Sequence, residues 1–430
     1  MSTLLPQEIL DHVIDHLYDD KATLMACSFA SKSLSDASYH HLFHSVFVKM
    51  DQDLEVDHTV TVFRKFFAFV SSPTSRANRY IRRLSIESGP NDSAYSRFFA
   101  PSFQDIRGLL SCLPSLQSLE LRRIRVNPSA VDIIQPPGGR DTQITYRLRS
   151  LTFWRCIFED IPIALPEFLQ LTKPHKVSLN NPRRVNVDLE QNHDHISPSA
   201  SIPRANPSSS VRIENLLFIG RWKLMVRDNN REIELIEHVL HCISHNGHGI
   251  HSLRELTFLI GTWPNNPHYY IEKLRGLFLS VFKHTSSLTS FVIGISYGYS
   301  FSSNSWSQWL SILSSLPHNT QHIRFEILAF DAIDAASASL PDPAVLRANL
   351  LQLASLRTFT LRWGLSEVNM HNGVGDILAS RLHELLPDLA TRGIVRTEAC
   401  IMDELHKSSG VPVAEANSPT WLNRPRMGWD

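Results

Sequence analysis

The chain has no excess of either charge. Its 430 residues contain 42 Lys and Arg against 42 Asp and Glu, a formal net charge of +0 at pH 7. Surfaces that bind nucleic acid or anionic membranes usually require an excess of basic residues. The composition therefore predicts a protein that binds neither nucleic acid nor membrane.

Cysteines are few, and long apolar runs are missing. The cysteines are an odd number without paired spacing: Cys27, Cys112, Cys156, Cys242 and Cys400. This usage indicates free thiols in a reducing compartment. No apolar run approaches the roughly 20 residues of a spanning helix, and Gln7, Glu8 and Asp11 replace the basic and apolar parts of a secretion signal. We expect a soluble protein of the cytoplasm or nucleus.

Common catalytic motifs are also missing. There is no Gly-x-Gly-x-x-Gly, no phosphate-binding Gly-Lys-Ser/Thr loop and no Gly-x-Ser-x-Gly. Helical spacing could place His238, His241 and His245 on one face, which suits zinc, but cationic histidines near a helix C-terminus explain them more simply. We therefore predict no catalytic residue, no metal site and no cofactor. An enzyme with an unrecognised site is the alternative.

What the sequence does contain is a repeated Leu-x-x-Leu-x-Leu hexad. Its clearest copy is Leu116-Gln117-Ser118-Leu119-Glu120-Leu121. Weaker copies begin at positions 81, 148, 213 (counted as one residue out of step), 253, 288, 320 and 356, and Val177 with Leu179 could be another. Alternating apolar residues suit a short strand. A period in the thirties indicates a repeat array of parallel strands with right-handed crossovers.

Apolar periodicity between the hexads predicts helices. We expect one from about Phe103 to Leu113, ended by Pro114, and a first covering helix over 60–70. Further helices are predicted at 232–244, 269–284, 306–316, 344–353 and 375–386. Ser305 and Asp342 are expected to start two of them.

Residues 3–48 are predicted to form a compact unit of three helices. The first carries an apolar stripe of period 3.6, made of Ile9, Leu10, Val13, Ile14 and Leu17. Asp19-Asp20 is expected to end the first helix and to cap the second, and the third helix is expected to begin at Ser31. An apolar tail is expected to close the unit: Leu42, Phe43, Val46 and Phe47.

This stretch resembles the F-box. The matching residues are Leu5-Pro6-x-Glu8-Ile9-Leu10, Val13-Ile14, Leu17, Leu24, Cys27-Ser28, Ser31-Lys32 and Leu42-Phe43, while Leu34 stands where many members have tryptophan. The resemblance implies a docking element for a Skp-type adaptor and, through it, a cullin of a ubiquitin ligase. It implies adaptor contacts at Leu5, Pro6, Ile9, Leu10, Ile14 and Leu17. The alternative is a helical cap that seals the first repeat.

Residues 80–400 resemble a degenerate leucine-rich-repeat domain. Most copies lack the Asn that usually follows the hexad, and the period exceeds the family's 20 to 29 residues. We therefore expect an α/β protein in which a three-helix F-box precedes an irregular solenoid, with parallel strands on the concave side and helices outside. The predicted domains are 1–48 (F-box-like), 49–79 (linker helix), 80–400 (repeats, with a flexible insertion at about 180–210) and 401–430 (tail). This combination resembles the fungal F-box group.

The strand residues between the buried apolar positions are expected to form the concave face. Trp and Arg are favoured interface anchors, and the candidates for binding a target protein are Glu120, Arg122, Trp154, Arg324 and Arg362. Packing of Trp154 under a loop is an equal alternative. The function expected is that of a substrate-recognition subunit of a Skp/cullin/F-box ligase. The second hypothesis is a non-enzymatic leucine-rich-repeat scaffold whose N-terminal helices only cap the array.

Overall fold

The computed structural model describes residues 5–50, 56–88, 100–126, 146–158, 161–180, 183–184, 212–219, 236, 239–240, 250–260, 267–297, 303–329, 342–365, 371 and 373–401. The chain divides into two compact units, Met1–Phe218 with Glu234–Leu253 and Ile219–Ile233 with Arg254–Asp430. In both units parallel strands alternate with helices. The expected α/β class is confirmed.

Three helices open the first unit, α1 (Gln7–Asp15), α2 (Lys21–Ala30) and α3 (Lys32–Phe43). The Asp20 carboxylate accepts a hydrogen bond from the Thr23 amide at 3.0 Å, and Ser31 Oγ accepts one from the Leu34 amide at 3.3 Å. Asp20, from the predicted Asp19-Asp20 pair, therefore caps α2, and Ser31 caps α3. Each satisfies an amide that a helix N-terminus would otherwise leave unpaired.

Strand β1 (Ser45–Met50) follows α3 and pairs in parallel with β2 (Arg83–Ser88). The expectation of an apolar tail here is wrong, because Val46 lies opposite Leu84 and Val48 opposite Ile86 in the sheet. With Phe43, these two valines have the i, i+3, i+5 spacing of a hexad. The array therefore begins before residue 80, and the expected boundary at 48 falls inside a strand.

Helix α4 (Val56–Ser71), expected as a linker, is the crossover between β1 and β2. It packs on β1 and on α5 (Phe103–Cys112), and it buries Phe63 and Val70. Ser102 caps α5 reciprocally with Asp105. The segment 49–79 is thus part of the first repeat.

The remaining strands of the first unit follow the hexads. They are β3 (Ser118–Arg122), β4 (Arg125–Val126), β5 (Ser150–Trp154), β6 (Ile157–Phe158), β7 (Lys176–Asn180), β8 (Arg183–Arg184) and β9 (Asn215–Ile219). The order is β1-β2-β3-β5-β7-β9, beside a small sheet β4-β6-β8. Strand β7 confirms the copy at Val177 and Leu179. Ile213, Leu216 and Phe218 are buried in correct hexad spacing, so the one-residue offset assigned to this copy is wrong.

Helix α6 (Ile161–Thr172) is not among the expected helices, and it contains Pro166. Proline lacks an amide donor and ordinarily interrupts a helix. Tertiary packing favours the helix here, since the Phe168 ring meets Phe153 of β5 edge to face at 5.5 Å and Phe103 at 5.4 Å. Such pairs add about 0.5–1.5 kcal/mol each beyond the area that they bury.

The second unit alternates strands and helices in the same way. Its elements are β10 (Glu255–Ile260), α7 (Pro267–Phe282), β11 (Ser290–Tyr297), α8 (Ser303–Leu313), β12 (His322–Ala329), α9 (Pro343–Leu351), β13 (Thr358–Leu365), α10 (Val374–Leu385), α11 (Pro387–Thr391) and β14 (Val395–Ile401). The strands are parallel in the order β10-β11-β12-β13-β14. Asp342 caps α9 as expected, whereas α8 begins at Ser303 and not after Ser305.

Several expectations concern segments outside the described residues. These are most of the helix at 232–244, most of the insertion at 180–210, the tail beyond 401 and the histidines from His238 to His248. No helix in the described ranges is long and apolar enough to cross a bilayer.

Candidate interaction surfaces

The apolar stripe of α1 divides into an inner and an outer face. Ile14 is 1% exposed, and Leu10 and Leu17 are half-buried. Leu5, Ile9 and Val13, spaced four residues apart, are exposed on the other side, and Pro6 is exposed beside them. Ile14 therefore supports the helical unit from within and offers no contact area, which corrects its expected role as a contact residue.

Polar contacts and aromatic packing fix the three helices to the sheet. Gln7 Nε2 donates to the Ser33 carbonyl at 2.7 Å and ties α1 to α3. The Tyr80 hydroxyl donates to Asp36 at 2.9 Å, next to the start of β2. The Phe43 ring lies 6.2 Å from Phe69 of α4. These contacts hold the helical unit in place and leave the outer face of α1 uncovered within the described chain.

A second exposed apolar stripe lies on α2. Met25 and Phe29, one helical turn apart, are both exposed, Phe29 to 79%, and Tyr18 is exposed before the helix begins. These residues are not among the expectations from the sequence, although the i, i+4 spacing of Met25 and Phe29 is a usable signal. Uncovered aromatic and methionine side chains are typical of protein-binding surfaces.

The polar face of each sheet consists of the strand residues between the buried apolar positions. In the first unit, the register places Glu87 opposite Arg122, and Arg122 opposite Trp154. Trp154 is only 6% exposed, so it is buried and is not an available anchor. The Arg122 guanidinium lies 5.8 Å from the Trp154 ring and 5.9 Å from the exposed ring of Phe47.

Two carboxylates compensate the charge of Arg122. Its Nε lies 2.9 Å from Glu120 Oε1, and its Nη1 lies 3.8 Å from Glu87 Oε2. The structure thus brings together the predicted residues Glu120 and Arg122, and it adds Glu87 and Phe47. These two could not be found as members of the cluster without the strand register.

The second unit carries a similar network around a buried carboxylate. Arg324 and Arg362 each place Nη1 3.6 Å from Glu326 Oε1, and Arg362 Nε lies 3.8 Å from Glu398 Oε2. Burial raises the pKa of Glu326, although the two arginines act in the opposite direction. Of the two predicted arginines here, Arg324 is the more exposed.

A missing side chain helps to bury Glu326. Gly294 lies opposite Glu326 on β11, and the space that a Cβ would need there is occupied by Leu259 Cδ2. Leu259 is itself buried. The absence of a side chain at Gly294 lets Leu259 pack next to the strand position of Glu326, and burial is the largest cause of the raised Glu326 pKa.

The turns after β3 and β5 repeat one geometry. Arg123 and Arg155 adopt positive φ values of 53° and 49°. Their amides donate to the carbonyls of Trp154 and Asn180, both at 2.7 Å. The buried Cys156 thiol donates to the Leu121 carbonyl at 3.1 Å, and burial raises its pKa to about 12. This cysteine is therefore a structural hydrogen-bond donor.

The fold and these surfaces define an α/β protein of parallel strands and covering helices, with two apolar helix faces and two charged networks exposed to different degrees. No protein-family model matches the chain, and no curated protein matches it. Its function therefore has to be inferred from the surfaces of the molecule itself.

Proposed function

We propose that the chain is the substrate-recognition subunit of a Skp/cullin/F-box ubiquitin ligase. Its N-terminal helices bind the Skp-type adaptor, and the polar faces of the repeats bind a target protein. The observation that carries this proposal is the outer face of α1, where Leu5, Ile9 and Val13 stay exposed on helices that are anchored from the other side. The sequence resemblance to the F-box covers the same residues.

The turn geometry supports a leucine-rich-repeat reading of the array. The leucine-rich pattern continues past the hexad as Leu-x-x-Leu-x-Leu-x-x-Asn/Cys. Leu148, Leu151, Phe153 and Cys156 follow it. Cys156 stands at the Asn/Cys position of this pattern, and its buried thiol donates to the Leu121 carbonyl on the neighbouring strand. The spacing of these four residues carries the match, which is not among the expectations from the sequence.

Docking of the adaptor on α1 requires apolar surface to be buried between the two proteins. A standard interface buries about 800 Å² per partner, and exposed apolar side chains contribute about 25 cal/mol per Å² that they bury. Leu5, Ile9 and Val13 supply the apolar centre, with Pro6 beside them. A charge at Ile9 would be desolvated without a partner, which is costly. The free protein would tolerate it, because Ile9 is half-exposed.

The scaffold alternative is favoured by a different observation, the close packing of α3 against the start of the sheet. The Tyr39 and Tyr80 rings lie 6.2 Å apart, and β1 continues from α3 after a single residue. Deletion of residues 1–48 would remove most of β1 as well, so it cannot separate docking from capping. Point substitutions on the outer face of α1 can.

Affinity purification of the full-length chain tests both halves of the proposal. Ile9→Asp should lose the adaptor and the cullin while retaining the target, whereas Arg324→Glu, at the more exposed of the two arginines, should lose the target while retaining the adaptor. Circular dichroism confirms that each variant is folded. Wild-type chain that captures neither adaptor nor cullin would refute the ligase proposal and leave the scaffold.

A further inference from the structure

Five exposed cations lie where the chain enters β2, β5 and β7. We call them the basic edge: Arg82, Arg83, Arg147, Arg149 and Lys176. Among the described residues, none of the five forms an ion pair with a carboxylate. The carboxylate described at the next strand start, Glu214, already lies 3.3 Å from Arg212 and 3.9 Å from His175. The charge of the basic edge is therefore not compensated within this part of the chain.

Backbone hydrogen bonds align the basic edge across the sheet. The Arg82 carbonyl accepts from the Gln117 amide at 2.8 Å, the Gln117 carbonyl from Arg149 at 2.7 Å, and the Arg149 carbonyl from Lys176 at 3.0 Å. Neighbouring strands lie about 4.8 Å apart. Three such steps give a row about 15 Å long, fixed by the sheet and not by flexible loops.

The pKa shifts of two nearby histidines are consistent with a positive potential at the basic edge. The pKa of His44 is lowered, first by burial and then by His40, Arg83 and Arg82. The pKa of His40 is lowered by burial and then by Arg82. The Arg82 and Arg83 amides both donate to the His44 carbonyl, at 3.0 and 2.9 Å. Mutual repulsion of this kind is relieved when an anion binds.

We propose that the basic edge binds an acidic segment of the target protein, lying across the strand starts. An extended chain advances about 3.3 Å per residue, so the row matches about four or five residues that carry carboxylate or phosphate groups. Nucleic-acid sites typically contact about 6–10 phosphates along a much longer charged lattice, which favours a short peptide. This inference deepens the proposed function, since it names the chemistry of the target, but the binding itself requires no adaptor.

Fluorescence anisotropy with the purified full-length chain tests the proposal. The probes are fluorescein-labelled hexaglutamate, a phosphoserine peptide of equal length, hexaglutamine and a short single-stranded oligothymidylate. The test variant combines Arg83→Glu, Arg149→Glu and Lys176→Glu. A control of equal charge change combines Arg64→Glu, Lys65→Glu and Lys283→Glu, three exposed cations on α4 and just after α7.

At least one acidic peptide should bind, hexaglutamine should not, and the affinity should fall as salt rises. The test variant should weaken binding by about tenfold or more and the control by less than about twofold, because several ion pairs are reversed only in the first. The carboxylate and phosphate probes distinguish the two anion sources. If the reversed variant misfolds, the corresponding glutamine substitutions should give the same order of affinities.

Three results would overturn the inference. These are failure of both acidic peptides to bind the wild-type chain, equal losses in the test and control variants, and tighter binding of the oligonucleotide with the same dependence on the basic edge. Ile9→Asp should leave peptide affinity unchanged. Loss of adaptor binding in a chain that still binds the peptide therefore concerns docking alone.

Discussion

Replacement of Cys156 by Ala tests the role of the repeat turn. The thiol is buried, and it donates to the Leu121 carbonyl at 3.1 Å on the neighbouring strand. Removal of one buried sulfur costs about 0.8 kcal/mol in transfer energy, as for a methylene, and roughly 0.6 kcal/mol for the cavity. Loss of a weak hydrogen bond adds about 0.5–1 kcal/mol. The free energy of unfolding should therefore fall by about 2 kcal/mol.

Urea unfolding followed by far-ultraviolet circular dichroism measures this loss. Cys112→Ala is the matched control, because Cys112 is only half-buried and its Sγ lies 4.0 Å from Ser111 Oγ, so its loss should stay below about 1 kcal/mol. In the folded wild type, iodoacetamide should modify Cys112 and spare Cys156, whose pKa is raised to about 12 by burial. A loss at Cys156 no larger than the loss at Cys112 would refute the turn account.

Two further predictions concern the second unit. Gly294→Ala should lower the melting temperature, because its Cβ would overlap the buried Leu259 side chain at a cost of about 1–3 kcal/mol. Gly276→Ala in α7 has open space around its Cβ, so it should raise the melting temperature, with a gain of up to about 1 kcal/mol in the free energy of unfolding. Equal shifts of the melting temperature in the two variants would contradict the packing described here. For Glu326, burial raises the folded-state pKa above the ordinary 4.5. The folded state therefore binds the Glu326 proton more tightly than the unfolded state does, and the stability contributed by this proton binding is lost as pH rises through the folded-state pKa. Glu326→Gln should lack this decline, and parallel pH profiles of unfolding for wild type and variant would refute it.

The repeated hexad predicted most strands, because alternating apolar residues fit only one face of a sheet. It missed β1, although Phe43, Val46 and Val48 carry the same spacing, because Phe43 and Val46 also fit an apolar tail that closes the helical unit. The expectations also contain no helix around Pro166, where proline disfavours a helix locally and the packing of Phe168 stabilises it. Both errors arise where tertiary contacts compete with local sequence signals.

The candidate surfaces were predictable only in outline. A period of 3.6 places Ile9 and Ile14 in one apolar stripe, but only the packing of α3 decides that Ile14 turns inward and Ile9 outward. The sequence likewise placed Arg362 on the polar face, yet its pairing with Glu326, 36 positions earlier in the chain, depends on the strand register. The basic edge could not be predicted from composition, because equal numbers of basic and acidic residues in the whole chain do not show where charges cluster.

Direct titration of a purified Skp-type adaptor into the full-length chain tests the central claim. Ile9→Asp is compared with Ile377→Asp, the same change on a helix of the second unit at nearly the same exposure, 49% against 48%. The wild type and Ile377→Asp should bind with similar affinity, while Ile9→Asp should lose at least about a hundredfold. Absence of binding by the wild type, or equal affinity of all three chains, would contradict the claim that the outer face of α1 docks the adaptor.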